Sequence, residues 1–174
     1  MADRDRRDFL KLATCAIGGG VGLVAAVPVL RMVADPAGKT TVTSPTDPID
    51  VGDATTLRIG EPPRKVDVVA PIVKDAWVAA RDVVLGAAWL RRTAPGQIVA
   101  LSAVCPHLGC AIGWDRSGGT FICPCHDSKF SPEGVVLGGP SKRAMDPLPL
   151  VVENGRILLT WKRFKADTAD REDA

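Results

Sequence analysis

CPHLGCAIGWDRSGGTFICPCHDSKF, residues 105–130, holds four of the five cysteines and both histidines of the 174-residue chain. Two half-motifs stand in it, Cys105-Pro-His107-Leu-Gly-Cys110 and Cys123-Pro-Cys125-His126, with fifteen residues between His107 and Cys123. Each half offers a thiolate and an imidazole in a tight loop, and each carries a further cysteine. Soft sulfur and imidazole donors gathered this way suit zinc, copper or iron–sulfur chemistry, so the stretch predicts a metal centre.

The donor arithmetic separates the metals only in part. A single zinc would take two cysteines and two histidines and leave two cysteines without a role. A cluster of two irons takes two protein ligands per iron. Cys105 and Cys123 could serve one iron and His107 and His126 the other, with Cys110 and Cys125 left, one in each loop, free to close a disulfide. A structural zinc knot is the alternative. A set of disulfides alone would leave both histidines without a purpose.

C-x-H-x-x-C followed by C-x-C-H resembles the Rieske iron–sulfur proteins, in which histidine replaces cysteine on one iron of a 2Fe–2S centre. The resemblance covers residues 65 to 162. It implies an antiparallel all-β sandwich or barrel with a small cluster-binding subdomain, holding one 2Fe–2S cluster. Cys105 and Cys123 would be the thiolate ligands, His107 and His126 the imidazole ligands, and Cys110–Cys125 a disulfide between the two loops. Gly138-Gly139-Pro140 matches a loop that covers the cluster from a third side. Ser128 matches a hydroxyl that hydrogen-bonds a bridging sulfide. Asp127 stands where glycine is usual, and Phe130 where high-potential members have tyrosine, so an intermediate potential is expected.

Composition agrees with a turn-rich β domain: 17 Gly and 14 Pro occur without a long amphipathic stretch. The net charge of +2 is too small for a nucleic-acid surface. One disulfide pair, two thiolate ligands and a leftover Cys15 fit an oxidising compartment.

At the N-terminus, residues 1–11 contain Arg6-Arg7-Asp8-Phe9-Leu10-Lys11, which looks like a twin-arginine export signal. Residues 12–30 are nineteen uncharged positions, enough for a helix to cross a bilayer, and the anchor is expected over 12–33. Arg4, Arg6, Arg7 and Lys11 precede the run against Arg31 and Lys39 after it, so the N-terminus should stay in the cytoplasm. The expected location is a bacterial cytoplasmic membrane, single-pass, with the cluster domain on the periplasmic side; cleavage after Ala26 is the competing reading. Residues 34–50, with Pro36, Gly38, Pro45 and Pro48, read as a semi-stiff linker, which the resemblance makes a hinge. The cluster domain is expected over 51–163 and a polar disordered tail over 164–174.

Short strands are expected at Leu57–Ile59, Lys65–Val69, Trp77–Val84, Ala88–Arg91, Ile98–Ala103, Ala111–Trp114, Thr120–Ile122, Leu148–Glu153 and Arg156–Trp161, with breaks at Pro71 and Gly86. Asn154-Gly155 marks a hairpin. Trp77, Trp89, Trp114 and Trp161 are expected to pack rather than relay electrons.

The resemblance, with an anchor and a linker, implies the iron–sulfur subunit of a quinol–cytochrome c oxidoreductase of the cytochrome bc type. It would take an electron from quinol and pass it to a c-type cytochrome, beside a cytochrome b-type subunit and without activity alone. His107 and His126 would carry the catalytic work, since an imidazole bound through one nitrogen keeps the other for a proton or a substrate hydrogen bond. The second reading is the small Rieske subunit of an exported molybdenum oxidase such as arsenite oxidase.

Overall fold

The computed structural model describes residues 2–35, 47–74 and 78–174. Most of the expected hinge (residues 36–46) and Trp77 lie outside them. The chain divides into an N-terminal helical unit and a β unit.

Helix α1 runs from Ala2 to Ala34, taking in the twin-arginine segment as well as the apolar run. Within Arg4–Ala34 an 18-residue window reaches a mean hydropathy of 1.9 with none of it buried, so the helix is long and apolar enough to cross a membrane. Residues 12–33 span about 33 Å as a helix, close to the hydrocarbon thickness of a bilayer. Leu12, Ile17, Leu23 and Val33 are all more than three-fifths exposed, an apolar surface suited to lipid. Gly18, Gly19, Gly20 and Gly22 do not interrupt the helix.

Among the described residues the β unit pairs antiparallel and forms three sheets. Strand β1 (Ile49–Asp53) pairs with β11 (Arg156–Leu159), which pairs with β10 (Leu150–Glu153). The second sheet orders β2 (Arg64–Lys74), β3 (Ala79–Ala94), β4 (Gln97–Ser102) and β9 (Pro147–Leu148). The third is a meander of β5 (Gly113–Asp115), β6 (Thr120–Cys123), β7 (Ser128–Phe130) and β8 (Val136–Gly138).

The central part of the second sheet, around Ala88–Leu90 and β4, packs on both faces, and strand periodicity assigns its side chains. Ala88, Leu90, Ile98 and Ala100 pack with Ile157, Leu159 and Trp161 of the first sheet's side. The alternate positions Trp89, Leu101 and Ala103 pack with Ile112, Phe121, Phe130, Cys105 and Cys123 of the meander. The Trp89 indole N–H donates to the Ile112 carbonyl at 3.1 Å, and its ring meets Phe121 edge-on at 5.4 Å. Trp161 is buried in the first core, so the described tryptophans pack as expected.

Several expected boundaries shift for physical reasons. Gly86 does not end a strand; it lies inside β3, where a Cβ would fall within the Trp161 ring, so the missing side chain makes room for the indole. Pro71 is tolerated because β2 is an edge strand. Leu57–Ile59 is not a strand: Asp53 accepts from the Thr55 amide at 2.7 Å and starts a 3-10 turn at Ala54–Thr56 instead. Strand β1 begins at Ile49, inside the stretch expected as linker.

The tail is not disordered. Phe164 bridges Asp173, the Lys165 amide donates to the Glu172 carbonyl at 2.9 Å, and Lys165 and Lys162 pair with Glu172 and Asp173. Its polar composition matches these local ion pairs rather than solvation alone.

Candidate metal centre

The first ligand loop leaves the second sheet at Ala103 and closes on itself. The Gly109 amide donates to the Cys105 carbonyl at 2.9 Å, and the Cys105 amide to the Cys110 carbonyl at 2.7 Å. Gly109 takes a φ of +78°, the left-handed turn that brings Cys110 back beside Cys105. The Ile112 amide then donates to the Ala103 carbonyl at 2.8 Å, locking the base of the loop.

The second loop is the turn of the β6–β7 hairpin, with Cys123 and Ser128 directly opposite each other at its base. Asp127 adopts φ +56°, a conformation natural to glycine and tolerated by Asp. That explains how this position departs from the usual residue while keeping the turn.

Cys110 and Cys125 form a disulfide joining the two loops, 15 residues apart in sequence. Cys123 Sγ lies within 4.8 Å of both their sulfurs. Cys105 and Cys123 are free thiols, each about 1% exposed. His107 and His126 meet edge to face, ring centroids 4.9 Å apart, with His107 half-buried and His126 exposed. The structure therefore brings all four expected donors to one end of the meander, sulfurs inward and imidazoles outward.

Burial pushes the Cys105 thiol up, and the neighbouring Cys123 adds to this, while the amides of His107 and Leu108 act against it. Burial thus favours the protonated form of Cys105 unless a cation replaces its proton. Ser128 Oγ is fully buried and has no hydrogen-bond partner among the described residues. A buried hydroxyl without a partner is costly, so this one calls for an acceptor that the described residues do not provide. Buried thiols, outward imidazoles and an unpaired donor facing the same hairpin base fit a sulfide-bridged iron centre. They fit a closed zinc knot less well, because zinc would leave the serine unpaired.

The third loop closes from β8. Gly139 takes φ +88°, and a Cβ there would press on Ser128 Cα and lie 2.8 Å from the Asp127 carbonyl. Only glycine permits this approach, which sets Gly138-Gly139-Pro140 against the backbone of the second ligand loop. Phe130 is fully buried and packs in the core that includes Cys105 and Cys123. What sequence reasoning missed is Arg143, buried with Asp146 behind these loops; its signal, an Arg-x-x-Asp after a Gly-Pro turn, is too common to single out.

This β scaffold and donor set define a class, the mixed histidine–cysteine iron–sulfur electron carriers. Residues 53–153 match the family model described as the Rieske [2Fe-2S] domain, and the chain belongs to that family. It is 32% identical over 158 residues to the menaquinol:cytochrome c reductase iron-sulfur subunit of Geobacillus thermodenitrificans, covering 88% of this chain and 89% of that one. It is 28% identical to the cytochrome b6-f complex iron-sulfur subunit of Chlorobaculum tepidum, over 91% of this chain and 76% of that one. Among solved structures, a plasma membrane Rieske protein from Synechocystis PCC 6803 matches with a TM-score of 0.47 at 26% identity, covering 65% of this chain and 99% of that one.

Proposed function

We propose that the chain is the electron-transfer subunit of a membrane quinol–cytochrome c oxidoreductase, accepting an electron from quinol and delivering it to a c-type cytochrome. The observation that carries this is the two-sided centre: buried Cys105 and Cys123 beneath outward His107 and His126, in a chain with a membrane-length apolar helix. The relative from Geobacillus thermodenitrificans, named a menaquinol:cytochrome c reductase subunit, supports the reading along nearly its whole length.

Cys105, Cys123, His107 and His126 would hold the 2Fe–2S group, which supplies a one-electron couple raised in potential by its neutral imidazoles. The exposed ring of His126 and the half-buried ring of His107 present nitrogen where a quinol hydroxyl can reach, accepting a hydrogen bond or a proton. The buried sulfur side excludes water from the thiolates. Ser128 Oγ, buried and without a partner among the described residues, would donate to the 2Fe–2S group. The disulfide holds the two ligand loops in register.

The helix anchors the chain, with the charges of Arg4, Arg6, Arg7 and Lys11 keeping its N-terminus cytoplasmic and the β unit on the periplasmic side. The twin arginines suit export of a domain folded around its cluster. Purification from membranes in mild detergent tests the assignment. A dihaem cytochrome b should accompany the chain; a molybdopterin subunit in its place would overturn it in favour of the oxidase reading.

A further inference from the structure

Residues 164–174 reach back to the ligand loops. The Asp167 amide donates at 2.8 Å to the carbonyl of Pro106, the residue between Cys105 and His107. Asp167 holds this pose at φ +58°, a left-handed conformation an Asp can adopt. Lys142 fixes it from the third loop, Nζ lying 3.1 Å from the Asp167 carbonyl and 3.0 Å from its carboxylate. One residue of the tail thus joins the first ligand loop to the chain just past Pro140.

Behind it stands Arg143, whose side chain is only 5% exposed. Its Nε and one terminal nitrogen donate to the Asp146 carboxylate at 2.9 Å each. The same guanidinium donates to the Thr168 carbonyl at 2.8 Å, the Thr168 hydroxyl at 2.7 Å and the Lys165 carbonyl at 2.8 Å. Arg171 adds a second cation 3.4 Å from Asp146. An arginine fork spent on one carboxylate and three tail oxygens is an organised tie, beyond what a surface ion pair supplies. Under the tail lies a 280 Å³ cavity whose lining includes Cys105, Pro106, Phe164 and Ala166.

We propose that residues 164–174 form a clasp over the first ligand loop, with Arg143 as its positioning residue, and that the clasp lowers the potential of the centre and slows its loss. This rests on the electron-carrier reading above. The disulfide ties the first loop to the second; the clasp ties the first to the third. Its charges are largely matched, Asp167 by Lys142, Glu172 by Lys165 and Asp173 by Lys162, so the clasp acts by cover rather than by net charge. It covers the cavity beside Cys105. Burial of this kind disfavours the more negative, reduced state.

The test uses the full chain in detergent beside a chain ending at Lys165, which keeps the Arg143–Asp146 pair and removes an exposed segment. A second variant, Arg143→Lys, keeps the charge but cannot span the carboxylate and the tail carbonyls. Redox titration followed by paramagnetic resonance should show the same type of signal in all three. The midpoint should shift upward in both variants, and the signal should be lost several-fold faster on standing in air. Hydrogen exchange, which needs no cluster, should show the Asp167 amide protected in the full chain. It should also show His107–Cys110 deprotected on truncation and Ser128–Phe130 unchanged. An unchanged midpoint and unchanged exchange over His107–Cys110 in the truncated chain would overturn the clasp. A tail that exchanges like a free peptide in the full chain would overturn it as well. Failure of the full chain to show the mixed-ligand signal would instead refute the electron-carrier reading, while exchange alone would still decide the clasp.

Discussion

Ser128 and Phe130 sit on the same face of β7, both fully buried. The serine brings a donor with no partner among the described residues; the phenylalanine brings none. A hydrogen bond to a charged acceptor is worth roughly 1.5–3 kcal/mol. At its lower end that is on the order of 60 mV for a one-electron couple. Ser128→Ala should therefore lower the midpoint by about that amount in film voltammetry of the β unit, and Phe130→Tyr should raise it. An intact cluster whose midpoint ignores both substitutions would exclude hydroxyl donation as the control. Gly139 makes a second prediction at this scale. Its Cβ would meet the Asp127–Ser128 backbone, whereas Gly138 has open space. Gly139→Ala should cost on the order of 2–3 kcal/mol in thermal unfolding, and Gly138→Ala should cost far less. Equal effects would mean that the third loop does not depend on this approach.

Between elements, the two ligand loops depend on the Cys110–Cys125 link. Cys110→Ser should lose about 2–4 kcal/mol of stability and release iron faster on heating, since nothing covalent would then hold the loops together. A variant as heat-stable as the parent would show that packing alone sets the register. The sheet β1–β11–β10 depends partly on Arg156, whose guanidinium holds the Asp50 carboxyl below its ordinary value, with the Gly52 amide assisting. A carboxyl depressed on folding contributes stability that is complete above its unfolded value of about 4 and is lost as pH falls through the folded one. Both groups are about half exposed, so solvent screening keeps the pair's contribution small. Asp50→Asn should narrow the difference in unfolding midpoint between pH 6 and pH 3. A variant with the same pH dependence as the parent would remove the pair from the account.

Across the whole molecule, the donor set was legible because metal chemistry fixes residue types and spacing together. The four expected donors, the disulfide partners and the glycine loop are all brought to one end of the meander. Asn154-Gly155 was legible as a hairpin for a similar reason, since few residues make that turn. Gly86 misled because a glycine's reason for being in a strand lies in Trp161, far along the chain. The tail misled because composition alone cannot distinguish solvated charges from charges with partners, and Arg143, Lys142 and Pro106 are distant in sequence. Short β7 and β8 escaped notice for want of enough residues to show an alternation.

The central claim is that Cys105, Cys123, His107 and His126 hold one 2Fe–2S group, and paramagnetic resonance of natively assembled, dithionite-reduced protein tests it most directly. The account predicts a rhombic signal of low average g, with iron and acid-labile sulfide in equal amounts, lost in His107→Ala and Cys123→Ala. Stoichiometric zinc, or a signal of all-cysteine type that survives His107→Ala, would contradict it.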